Sequence, residues 1–122
     1  MKVIPFVVLM FISNTVFAHG YIIDSRAHLC QKGNNSGCGG VRYEPQSVEG
    51  PDRFPESGPS DGTIAAAGSR SWAPLNEQTP SRWKKVKMQS GENVFNWVLT
   101  APHYTKDWRY FITKDNWDPA QP

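Results

Sequence analysis

Val94-Phe95-Asn96-Trp97-Val98-Leu99-Thr100-Ala101 is the stretch whose reading decides the fold. Phe95, Trp97 and Leu99 alternate with Asn96, Val98 and Thr100, so an extended chain has one wholly apolar face and one mixed face. A period of two built from aromatic and β-branched residues predicts a strand half-buried against a second layer. Residues 82–88 and 108–114 have the same texture and are set off from it by Gln-Ser-Gly-Glu and Pro-His-Tyr-Thr-Lys-Asp. With Tyr21-Ile22-Ile23 as a further strand, the expectation is a mainly β chain folded as an antiparallel β-sandwich, with Trp97 and Trp108 facing its interior. Four candidate strands are fewer than a closed sandwich uses, and residues 116–122 are turn-like, so the sandwich is expected to be incomplete at its C-terminal side.

Before these strands the texture differs. Between residues 33 and 80 lie eight of the ten glycines and six of the ten prolines, with no sustained apolar period. This reads as one long ordered loop region carrying short helices, and loops of such length usually carry function. Asp61 is placed to cap a short helix ended by Gly68, and Thr79-Pro80 to open a turn. The lysines at 84, 85 and 87 read as a solvated edge that discourages strand pairing, and Trp72 as the tryptophan with a chance of exposure.

The first eighteen residues, MKVIPFVVLMFISNTVFA, have one lysine, an apolar run from Val3 to Ile12 and acceptable small-residue positions before His19. They read as a signal peptide, residues 1–18, leaving one domain over 19–122 that is exported to the extracellular space. The run is far shorter than the ~18 residues a membrane span requires, so no membrane role is expected. Thirteen basic against eleven acidic residues give a net charge of +2, which excludes a nucleic-acid reading. Export also favours a disulfide for the only two cysteines, Cys30 and Cys38, whose Gly- and Asn-rich loop CQKGNNSGC permits a tight turn.

Cutting after Ala18 makes His19 a chain terminus with two nitrogen donors on one residue, the α-amine and imidazole Nδ1. The amine is a usable ligand because its pKa is only about 7.7–8.0. A second imidazole would complete a three-nitrogen plane suited to Cu(II). His103, just beyond the 94–101 strand, is the candidate; His28 competes, and a solvated histidine is the plainer alternative for either.

Several runs together resemble bacterial chitin-binding proteins of the lytic polysaccharide monooxygenase class, auxiliary activity family 10. They are His19-Gly20-Tyr21-Ile22, Ser25-Arg26-Ala27, Tyr43-Glu44-Pro45-Gln46-Ser47-Val48-Glu49-Gly50, Gln78-Thr79-Pro80, Leu99-Thr100-Ala101 with His103, and Trp108-Arg109-Tyr110-Phe111-Ile112-Thr113-Lys114. The resemblance implies an immunoglobulin/fibronectin-type-III-like sandwich with a long loop region after the first strand. It implies a copper cofactor held by His19 and His103, Ala101 crowding one side of the metal and Glu49 beside it. It implies that Tyr43, Glu44, Pro45 and Glu49 meet chitin or a related crystalline polysaccharide, cleaved oxidatively with an external electron donor by a monomeric protein. A non-catalytic chitin-binding protein or adhesin is the alternative. Members of the family continue beyond the position matched by Pro122, so the chain resembles a C-terminally truncated member.

Overall fold

The computed structural model describes residues 19–51, 53–101 and 105–113; His103, the leader and residues 114–122 lie outside the described residues. Strand β1, His19–Ile22, pairs antiparallel with strand β2, Trp97–Ala101. Between them come helix α1, Arg26–Gln31, and four 3-10 turns at Gly39–Arg42, Pro45–Ser47, Ile64–Ala66 and Arg70–Asn76.

Helix α1 begins where Ser25, in extended conformation, accepts the His28 amide on its hydroxyl. It stops at Lys32, where Gly33 takes a φ of +74° and donates to the Cys30 carbonyl. Its face of Ala27, Leu29 and Cys30 is buried, and Cys30 is bonded to Cys38 with a Cα–Cα distance of 6.0 Å, as the loop composition predicts. Around that disulfide Val41, Ala66 and Leu75 form the core, with Val48, Ala65, Trp72 and Trp83 packed on it.

The core therefore sits inside the loop region. Irregular backbone can be buried only if its polar groups find partners, and side chains supply them. Asn76 Oδ1 accepts the Ala66 amide at 2.9 Å, and Asn35 Oδ1 accepts the Lys84 amide at 2.9 Å. Arg26 donates to the Leu75 carbonyl at 2.8 Å and to Gln78 Oε1 at 2.7 Å, tying the helix to the last 3-10 turn. Burial pushes the Arg26 guanidinium below its ordinary range, and the charge of nearby Arg82 adds to this.

Several expectations change. Residues 82–88 and the described part of 108–114 are not strands: Lys84 is bonded to Asn35, and Arg109 reaches back to the Phe54 carbonyl at 3.0 Å. The described residues hold one two-stranded sheet and no second sheet opposite it. Trp97 and Trp108, expected inside, are 38% and 46% exposed; they pack on each other with ring centroids 4.5 Å apart because no second layer covers that face among the described residues. Trp72 is half-buried, since its indole donates to the Ser47 carbonyl at 3.0 Å. Asp61 is not the cap of the short turn: its N-cap is Thr63, which makes no side-chain capping bond, and it ends at Ala67 and Gly68, both at positive φ. The lysines at 84, 85 and 87 are exposed, as expected. Among the described residues no helix is long and apolar enough to cross a membrane.

The disulfide and Leu75 thus hold a loop core that has little regular hydrogen bonding to fall back on. Replacing both cysteines by serine is expected to cost about 2–3 kcal/mol by the chain-entropy account of a nine-residue loop. Leu75→Ala is expected to cost about 2–5 kcal/mol. Urea denaturation of each variant beside the parent checks both.

Candidate functional site

Where β1 meets the end of β2, a cavity of about 480 Å³ opens. Trp97, Leu99 and Ala101 line it from β2. His19 and Gly20 line it from β1, and Glu49 enters on the segment that follows the Pro45–Ser47 turn. His19 Nδ1 stands 2.8 Å from Glu49 Oε1, an ion-pair distance, and both side chains are about one-third exposed. Arg109 and Asp107, 3.4 Å apart, also line it.

The position of Glu49 follows from packing below it. Pro45 is fully buried, and Val48 packs on the core. The Trp72 indole holds the Ser47 carbonyl, so the short segment carrying Glu49 is pinned from beneath before it crosses to β1.

Sequence reasoning brought His19, Glu49 and Ala101 to one site, and the cavity unites all three. His103 lies outside the described residues. His28, the competing histidine, is nearly buried in α1, where its Nδ1 accepts the Asp24 amide at 2.9 Å and its ring stacks on Tyr21; that is a structural role. Tyr43 is 76% exposed and lines a separate cavity beside the disulfide loop, with the Arg42 guanidinium 5.9 Å from its ring. Glu44 is exposed and accepts from the Ser47 hydroxyl. Pro45 corrects the sequence reading: as the first residue of a 3-10 turn it points into the core and cannot meet a surface ligand. Trp97, Leu99, Asp107, Trp108 and Arg109 are cavity residues that the sequence reading did not assign to the site; Trp97 and Leu99 share the alternating face of β2 with Ala101, and that pattern could have found them.

An imidazole nitrogen and a carboxylate oxygen 2.8 Å apart are donor types that a divalent transition metal accepts, and imidazole suits copper. They are a partial donor set. Among the described residues no group of three or more metal-ligating side chains forms. Of the two, the His19 imidazole fits a copper centre completed by nitrogens from outside the described residues, with the Glu49 carboxylate standing beside it.

Comparison with known proteins gives this site its family. Residues 19–122 match the family described as lytic polysaccharide mono-oxygenase, cellulose-degrading, and the chain belongs to that family. GlcNAc-binding protein A of Shewanella oneidensis is 51% identical over 113 residues, covering 91% of this chain and 24% of that protein. Its counterpart from Vibrio cholerae is 48% identical over 124 residues, covering 91% of this chain and 26% of its own length. The chain thus spans about a quarter of these relatives. Among solved structures, the catalytic domain of a lytic polysaccharide monooxygenase from Listeria monocytogenes superposes with a TM-score of 0.78 at 54% identity, over 83% of this chain and 61% of that one. A Bacillus amyloliquefaciens CBM33 protein in complex with Cu(I) does so with a TM-score of 0.77 at 41% identity, over 85% and 66%. The fold is the β-rich one of these domains, and copper use is a property of the family.

The Trp72 indole is the support beneath Glu49. Trp72→Phe deletes the donor and leaves a smaller ring, so it is expected to cost about 0.5–1.5 kcal/mol for the hydrogen bond, with a packing loss in addition. Hydrogen exchange should show faster opening confined to residues 45–50.

Proposed function

We propose that this chain, cut after Ala18, is a secreted copper-dependent lytic polysaccharide monooxygenase that binds crystalline chitin and cleaves it oxidatively. The observation that carries the reading is the meeting of His19, Glu49 and Ala101 in one cavity, with His19 Nδ1 2.8 Å from a carboxylate. Chitin is preferred over cellulose because the similar proteins are named for binding GlcNAc, the unit of chitin.

In this reading His19 contributes imidazole Nδ1 and the α-amine freed by the cut, and His103 a further imidazole. Deprotonating the amine near neutrality costs little, because its pKa is about 7.7–8.0. Bound copper would supply one-electron redox chemistry, drawing on an external electron donor. Glu49 places its carboxylate 2.8 Å from the imidazole Nδ1. The small side chain of Ala101 leaves that wall of the cavity close to His19. Tyr43, standing out from the surface, offers a ring face to a sugar, and Glu44 beside it offers hydrogen-bond acceptors. The protein acts as a monomer, and its sheet belongs to a fibronectin-type-III-like sandwich.

A second reading, a chitin-binding protein or adhesin without redox chemistry, is favoured by one observation: Tyr43 lies on a cavity apart from that of His19. The two separate on whether the parent releases oxidised oligosaccharides and His19→Ala abolishes that release. In the enzyme reading this variant still binds chitin but releases no oxidised oligosaccharides when supplied with copper and reductant, as read by mass spectrometry. Parent protein that binds chitin and copper yet releases none would favour the adhesin. One extra residue placed before His19 leaves every side chain intact and is expected to weaken Cu(II) binding at least about tenfold in calorimetry, because the amine becomes an amide nitrogen that is no longer a ready metal donor.

A further inference from the structure

The pairing of β1 with β2 is not regular. Gly20, Tyr21 and Ile22 face Leu99, Val98 and Trp97 in unbroken antiparallel register, but His19 faces Ala101, so the register slips by one residue between His19 and Gly20. The extra residue on β2 is Thr100. A bulge leaves its extra residue outside the ladder and re-aims the side chains next to it. Here Thr100 is not idle: its hydroxyl donates to the His19 carbonyl at 3.1 Å. The approach is close on the other side too. A Cβ on Gly20 would meet the Val98 carbonyl oxygen at 2.9 Å and Leu99 Cδ2 at 3.0 Å, so only glycine allows β1 to lie this near the bulged strand.

From this we infer that Thr100 is a positioning residue for His19: as the bulged residue of β2 it holds the His19 carbonyl and thereby sets the direction in which the His19 side chain enters the cavity. The inference rests on the proposed function in that a cut after Ala18 turns His19 into a chain end. Chain ends fray unless something ties them down. Once the preceding chain is gone, the only backbone group that residue 19 has left besides its amine is the carbonyl that Thr100 holds. An amine and an imidazole on one residue can serve one ion together only if the backbone between them is fixed. A side-chain hydrogen bond from the neighbouring strand fixes it without occupying either nitrogen. Glu49 acts on the ring, at Nδ1; Thr100 acts on the backbone behind it.

The test uses the cleaved protein and the variants Thr100→Val, which keeps the shape and deletes the hydroxyl, and Thr100→Ser, which restores the hydroxyl. Thr100 is exposed and outside the core, so both variants should melt as the parent does. Two readouts are taken. In the metal-free protein, NMR order parameters at Gly20 and the His19 imidazole resonances report whether residue 19 is held: Thr100→Val should lower the former and average the latter, and Thr100→Ser should reverse both. With Cu(II), calorimetry should show about three- to tenfold weaker binding for Thr100→Val, the range of one hydrogen bond. Its electron paramagnetic resonance spectrum should have altered copper hyperfine splitting, again restored by serine. Thr100→Val indistinguishable from the parent in the metal-free NMR readout overturns the inference. A parent that binds no copper while the NMR effect persists sinks the copper reading and leaves the positioning role intact.

Discussion

The pairing of β1 with β2 is the contact on which the rest of the structure depends. It joins residues far apart along the chain, from Ile22 and Trp97 to His19 and Ala101, and every intervening residue must fold as a loop closed by it. Closing so long a loop is entropically costly, and a two-stranded ribbon is marginal in water by itself. What makes the closure possible is that the intervening chain is not slack. The disulfide, α1 and the 3-10 turns share a buried cluster, so the chain that the sheet closes is packed along its length. The slip at Thr100 then sits where this packed chain, β1 and β2 converge, which is also where His19 and Glu49 meet.

The loop core shows how a segment without periodicity can be packed. Its apolar centre is small, resting on Val41, Ala66, Leu75 and the disulfide. Polar side chains do the work that ladders do elsewhere: Arg26, Asn35, Asn76 and the Trp72 indole each take a backbone group that would otherwise be stranded. The same contacts carry function outward, because the Trp72 bond supports the segment that delivers Glu49. Site geometry and core stability are therefore coupled through Ser47, one residue from Val48 in the packed layer.

How much of this was legible beforehand varied with the range of the cause. The disulfide could be read because both cysteines lie in one short turn-forming loop. The strand at 97–101 could be read because alternation of large side chains is local. The strands expected at 82–88 and 108–114 could not be checked locally: apolar content fits a strand only if a neighbour offers its edge, and here Asn35 and Phe54 take those backbone and side-chain partners instead. Pro45 was misread for a related reason. The resemblance puts it at the surface, yet as the first residue of a 3-10 turn it is fully buried, and neighbours along the chain do not show that.

By itself the sequence determined the chemical inventory: which residue follows the leader-like segment, which two sulfurs can pair, which strand alternates, and which family the ordered set of motifs belongs to. These are properties of neighbours along the chain, where spacing and composition speak directly. Tertiary structure alone decided that His19 lies against Glu49, that Tyr43 stands on a different cavity, and that a one-residue slip puts the Thr100 hydroxyl on the carbonyl of His19. Those depend on the register of two strands brought together from opposite ends of the domain. Register is set by contacts summed over the whole loop core, and no local stretch contains that sum.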